Sequence, residues 1–206
     1  MIGLIGRKKG MASVFDSLGR NIAVTILEAG PCPVLQKKTT ESDGYNAIQI
    51  GFEQIRPKRV TKPLMGHFKK ANVQPHRVLR ELSNFEGDVN VGDFLKVDLF
   101  KPGDRVIVSG ISKGHGFTGV IKRHNFHRPN QSHGTHEAFR GGGSVGQASS
   151  PARVWPGMKM PGRHGGGNIS VKNLSIIKVD AENGLIMIKG AVPGANGGYI
   201  MIRKQG

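Results

Sequence analysis

What most constrains this chain is a stretch that cannot fold by itself. From Arg105 to Val179 it carries eleven Lys or Arg residues and one acid, Glu137, together with six of the eight histidines. Glycine runs at Gly141–Gly143 and Gly165–Gly167 keep it from reading as helix. Such a segment offers little apolar surface to bury, and each of its charges requires water or a counter-ion. It is built to be ordered by something else, and its sign calls for a polyanion. The chain as a whole repeats the bias, with a formal charge of +16 over 206 residues. Charge of that size opposes a compact monomer by self-repulsion and favours nucleic acid or an anionic membrane surface. No run approaches the roughly 20 apolar residues of a membrane span. The opening MIGLIGRKKG lacks the long apolar region of a signal peptide. A cytosolic location, or import with a leader already removed, is the expectation. The lone Cys32 excludes an internal disulfide and fits a reducing compartment. Set between Pro31 and Pro33, it reads as a small buried thiol rather than a nucleophile.

Around the basic stretch the pattern is β. Ile22, Val24 and Ile26 alternate with smaller or polar neighbours, as do Ile48, Ile50 and Phe52. Gly19, Gly30-Pro31 and Asp43-Gly44 supply turns. From Arg56 to Arg80 come eight basic residues and no acid, with a short helix expected around Leu64 to Ala71. This patch reads as an excursion from the sheet, near residues 56–80. Strand character returns over Arg77 to Phe85 and Arg105 to Ile111. Between them cluster Glu81, Glu86, Asp88, Asp93, Asp98 and Asp104, an edge expected to face away from the polyanion. Leu174 to Val179 and Leu185 to Lys189 flank Asn183-Gly184, a strong hairpin signal. Tyr199 to Arg203 forms a last strand after the Pro193-Gly194 turn. The simplest architecture is a mainly β protein: one β-barrel over 1–122 and 171–206, interrupted by an extension over 123–170. Structureless segments beyond about 12–15 residues are uncommon in compact domains and are usually functional. The extension is the functional candidate and the barrel its anchor.

The sharper chemical readings fail on their context. Gly114-His115-Gly116-Phe117-Thr118-Gly119 satisfies G-x-G-x-x-G, but a dinucleotide site needs a helix next, with its N-terminus at the pyrophosphate. The sequence continues VIKRHNFHRP, β-branched, basic and halted by Pro129. A bend that lets backbone approach backbone or phosphate explains these glycines better. His124, His127, His133 and His136 have spacings that suggest zinc, yet no cysteine is near and the surroundings are cationic. Imidazoles that stack on bases or donate to phosphate and 2′-hydroxyl groups suit neighbours such as Lys122, Arg123, Arg128 and Arg140. Ser132-His133 and Ser149-Ser150 have no evident base or orienting carboxylate. Trp155, the only tryptophan, stands outside any apolar run and is expected to contact RNA or a partner. Around it Arg140, Arg153, Lys159 and Arg163 recur among Gly and Pro, as in an extended arm threading between phosphates. The expected RNA contacts in the basic stretch are Lys113, His115, Lys122, Arg123, His124, Arg128, His133, His136, Arg140, Arg153, Trp155, Lys159 and Arg163. Those in the excursion are Arg56, Lys58, Arg59, Lys62, Lys69 and Lys70.

The ordered landmarks are specific. They run from Met1-Ile2-Gly3-Leu4-Ile5-Gly6-Arg7-Lys8 and Gly10-Met11 through Gly66-His67-Phe68 to Ser112-Lys113-Gly114-His115-Gly116-Phe117-Thr118-Gly119. Ser132-His133-Gly134, Gly143-Ser144-Val145-Gly146-Gln147, Lys159-Met160 and Lys189-Gly190-Ala191-Val192-Pro193-Gly194 follow. On these the chain resembles, end to end, the bacterial large-subunit ribosomal protein three (L-three) family. The resemblance implies a translation-protein-type β-barrel that binds 23S rRNA and nucleates early assembly near its 3′ end. It implies neighbouring ribosomal proteins as partners and a loop running through RNA toward the peptidyl transferase centre, in the cytoplasm. It implies positioning and charge neutralisation, with no catalytic residue, cofactor, metal, membrane or homo-oligomer. Gln147 is the position where some relatives carry N5-methylglutamine, placed by a glutamine methyltransferase. The chain departs from the family at His124, where tryptophan is common, and at Ile107, where an acid or amide is usual. Pro156 and Met158 stand where lysine is frequent, so this tip holds fewer cations and offers Trp155 for stacking instead.

Overall fold

The computed structural model describes every residue except Met1, Ser17, Asn84, Glu86 and Gly206. In chain order the strands are β1 (Gly3–Phe15), β2 (Asn21–Ala29), β3 (Cys32–Lys38), β4 (Ala47–Gln54), β5 (His76–Ser83) and β6 (Phe94–Leu95). They continue with β7 (Arg105–Ile111), β8 (Gly116–Thr118), β9 (Gly162–His164), β10 (Asn168–Asp180), β11 (Leu185–Lys189) and β12 (Tyr199–Lys204). The α-helical pieces are α1 (Thr40–Asp43), α2 (Lys62–Lys70) and α3 (Val120–His124). Two compact units result, residues 1–112 with 168–206, and residues 113–167.

In the first unit six strands close an antiparallel barrel in the order β1-β12-β7-β10-β11-β2. Strands from both ends of the sequence meet in it, as expected. Leu4, Val106, Val108, Ile186, Ile188 and Ile202 fill it at 1% exposure or less. Gly6 lets β1 and β2 touch, because a Cβ there would lie 2.7 Å from the Glu28 carbonyl. In β2 the wholly buried residues are Val24, Thr25, Leu27 and Ala29, while Ile22 and Ile26 are half-buried. Alternation alone picked the wrong partners there. Thr25 can lie inside because its hydroxyl donates to the Gly190 carbonyl at 2.6 Å.

Ile48, Ile50 and Phe52 are all buried, but in a separate four-stranded sheet, β5-β4-β3-β6, rather than in the barrel. One face of this sheet joins the barrel core through Val34, Ile50 and Leu82. Phe68 of α2 packs with Leu35 and Ala71 in a smaller cluster. The helix starts with Pro63 in its first turn, where a missing N–H costs nothing, and begins two residues before the expected Leu64. Between β10 and β11 the predicted hairpin forms. The connection spans 181–184, with Gly184 at φ 63° and the Asp180 carboxylate accepting from the Asn183 backbone and side chain.

The second unit has almost no interior. Only Thr118 and Val120 are buried among its residues. A ribbon pairs Gly116 with His164, Phe117 with Arg163 and Thr118 with Gly162. The run VIKRHNFHRP, read from sequence as non-helical, forms the five-residue α3. Gly119 enters it in extended conformation, Val120 is buried, and Asn125 stops it at φ 58°, a left-handed cap that asparagine tolerates. A helix this short, preceded by a strand that pairs only with β9, does not make a dinucleotide fold.

Candidate nucleic-acid interface

Asp16, Glu28, Glu53, Glu81, Asp88 and Asp104 make ion pairs with cations, and all six lie in the barrel unit. Lys9 pairs with Glu28, Lys38 with Glu81 and Lys204 with Asp104, each at 2.8 Å, and Arg20 holds Asp16 at the same distance. Lys37 reaches Asp88 at 3.5 Å. The Lys38 ammonium and the Tyr45 hydroxyl hold the Glu81 carboxyl below the usual carboxylate range, and Lys204 does the same for Asp104. The acidic edge read from sequence is therefore largely consumed in ion pairs and turns. Asp93 accepts from the Asn90 backbone, and Glu86 lies outside the described residues.

Two sets of cations are left over. Among the described residues no carboxylate pairs with Arg56, Lys58, Arg59, Lys62, Lys69 or Lys70, and all six are exposed. Arg56 and Arg59 bracket a 3₁₀ turn begun by Pro57 and share a cleft of about 580 Å³ with Glu53 and Arg77. Glu53 does not neutralise that cleft. Its carboxylate accepts the Tyr199 hydroxyl and lies 3.9 Å from Arg7 and 3.8 Å from Arg77. Arg77 also stands 5.9 Å over the Tyr199 ring. Arg77 was absent from the expected contacts, although the acid-free run to Arg80 already contained it.

The other set belongs to residues 113–167, where eight Lys or Arg face one acid, Glu137. Lys113, Lys122, Arg128, His133, His136, Arg140, Arg153, Lys159 and Arg163 are all exposed. Two expected contacts are occupied internally. Arg123 donates to the Met160 carbonyl at 2.7 Å and lies against Gly162, while the His124 ring reaches the same carbonyl at 3.1 Å. Together they tie α3 to the segment leading into β9. His115 stacks on His164 with centroids 5.2 Å apart and planes 21° off parallel. Near Gln147, which is exposed, Val145, Val154 and Arg153 line a shallow cleft of about 450 Å³. Trp155 is 54% exposed, with the Arg153 guanidinium 5.0 Å from its ring. A cation on one face of an indole leaves the other open to a base.

Among the described residues no three His, Cys, Asp or Glu side chains gather as a metal site. Burial pushes the Cys32 thiol up to about 12, so it remains an unreactive hydrophobe at neutral pH. Among the described residues no helix is long and apolar enough to cross a membrane.

The comparisons agree with the motifs. The family model described as Ribosomal protein L3 matches residues 82–184. Over 203 residues, 98% of this chain and 96% of the relative, the sequence is 51% identical to the Large ribosomal subunit protein uL3 of Carboxydothermus hydrogenoformans. This chain belongs to the ribosomal protein L3 family. In this member the family match takes in β7, the whole of residues 113–167 and β10. The excursion with Arg56, Arg59 and α2 falls outside that match, though inside the end-to-end likeness to the relative. The L3 family model thus covers the segment with the most unmatched charge and the least interior.

Proposed function

We propose that this L3-family protein is a non-enzymatic structural constituent of the large ribosomal subunit that binds 23S rRNA directly. The observation that carries the reading is the concentration of charge: residues 113–167 hold eight Lys or Arg and one acid with almost no core, while six carboxylates of the barrel unit are ion-paired. RNA phosphates supply the missing counter-charge and the order such a segment lacks. The barrel, with its Arg56–Arg59–Arg77 cleft, docks on surface RNA helices. Residues 123–170 run into the RNA toward the peptidyl transferase centre, where they position and neutralise rather than react. Binding near the 3′ end of the rRNA nucleates early assembly beside neighbouring ribosomal proteins. Gln147, exposed just after the Ser144–Gly146 bend, is accessible to a glutamine methyltransferase.

The test is sedimentation of the tagged protein from cytoplasmic lysate, with and without residues 128–165. The full chain co-migrates with the large subunit. The deleted form keeps a folded barrel, binds 23S rRNA more weakly and stalls subunit maturation. If the loop makes six to ten phosphate contacts, affinity falls on the order of 10³- to 10⁵-fold between 50 and 200 mM salt. A free pool alone, or a flat salt response, overturns the reading.

A further inference from the structure

Strand β8 inverts the usual order of burial. Thr118 is 8% exposed with its hydroxyl unpartnered, while Phe117 beside it is 79% exposed. A phenylalanine buries far more apolar area than a threonine and ordinarily takes the inward position. Phe117 pairs across the ladder with Arg163, so both side chains emerge on one face of the β8–β9 ribbon. The Arg163 guanidinium bends toward Gly166, and among the described residues no ring or cation covers Phe117. His115 and His164, on the same ribbon, already stack on each other, and Lys113 is exposed at its start. An uncovered aromatic face with cations at hand, in a unit of eight cations and one acid, suits an unpaired base whose phosphates meet the cations.

We propose that Phe117 is a stacking platform for one unpaired RNA nucleotide, with Arg163 and Lys113 holding its flanking phosphates. This rests on the rRNA-binding reading above and adds to it a residue and a mode of contact. The ribbon is rigid enough to present the ring, because the His115 amide donates to the His164 carbonyl at 2.9 Å and closes the ladder beyond Gly116.

Full-length Phe117→Ala, Phe117→Leu and Phe117→Trp proteins are compared for affinity to a 23S transcript and for 2′-hydroxyl acylation of the bound RNA. Because the ring is exposed, circular dichroism stays unchanged. Alanine and leucine weaken binding about 5- to 150-fold and raise the reactivity of one or two unpaired nucleotides, while tryptophan keeps both near wild type. Leucine behaving as wild type overturns the platform, since an apolar contact with a protein neighbour would then suffice. A benzophenone side chain at 117 that crosslinks to protein instead of RNA in intact subunits overturns it too. If all variants bind as wild type does, the platform fails and the rRNA reading stands; if wild type itself does not bind the transcript, both fail.

Discussion

Residues 1–112 with 168–206 and residues 113–167 are held in shape by different means. The first set closes a barrel, buries a cluster from Leu4 to Ile202 and pairs six carboxylates, Glu28, Glu81 and Asp104 among them, with lysine and arginine. The second set buries Thr118 and Val120 and is ordered by turns, a three-pair ribbon, a short helix and the Arg123 strap. Apolar area is what offsets conformational entropy in water, so a segment with one buried aliphatic side chain gains little from folding alone. Such a segment is free to spend its surface on charge. The ion-paired carboxylates thus lie in the unit that has the core, while unmatched cations occur both in its excursion at 56–70 and along the nearly coreless residues 113–167.

The largest expected effect breaks this comparison most directly. Ile186 is fully buried in the barrel, and Ile186→Ala should cost roughly 2–5 kcal/mol in urea unfolding. Val154, 43% exposed, loses two methyl groups in Val154→Ala and should change stability by less than about 0.5 kcal/mol. Equal penalties would mean that residues 113–167 share in the cooperative core.

Much of the barrel unit was legible because its strands alternate and its turns use Gly, Asn and Asp for their own reasons. The hairpin at Asn183-Gly184 and the helix near Leu64 were readable for this cause. Periodicity reports a face and not a partner, so Ile48, Ile50 and Phe52 gave their burial correctly and their sheet incorrectly. Thr25 was unreadable because its burial depends on the Gly190 carbonyl, 165 residues away. In residues 113–167 the density of cations was plain, but not which of them the fold would use. Arg123 and His124 carry bonds to Met160 that only the return of the chain creates. Asn125 as a left-handed cap was the available sign of α3, masked by Val120 and Ile121. Phe117 lies within the glycine motif, and its exposure depends on the β8–β9 pairing that the motif alone does not encode.

A middle-sized effect tests whether the small ribbon is a real local structure. Gly165 has φ 71°, and a Cβ on it would collide with the Lys113 carbonyl. Gly165→Ala should destabilise the ribbon by more than ~1 kcal/mol, because alanine resists positive φ and the neighbour is backbone. Hydrogen exchange at the His115 amide, protected by the His164 carbonyl, should speed up several-fold while the Ile186-centred barrel amides do not change. A uniform loss of protection would show the two regions to be coupled more tightly than their interiors suggest.

The smallest effect concerns charge matching in the barrel unit. The Lys204 ammonium, first, and the Lys101 backbone amide hold the Asp104 carboxyl below the usual carboxylate range. A depressed folded pKa contributes stability that is present above the unfolded value of about 3.9 and lost as pH falls through the folded one. Asp104→Asn should therefore cost about 0.2–1 kcal/mol at pH 7, a modest amount because the pair is partly solvated. The penalty should shrink as pH falls through the folded value and the wild-type carboxyl protonates too, and added salt should trim it. Asp104 touches none of the unmatched cations, so the salt slope of RNA binding should be the same in mutant and wild type. A penalty that persists once acid has protonated the wild-type carboxyl would assign Asp104 to the hydrogen bonding of its turn, and an altered salt slope would mean that matched and unmatched charge are not separable in this protein.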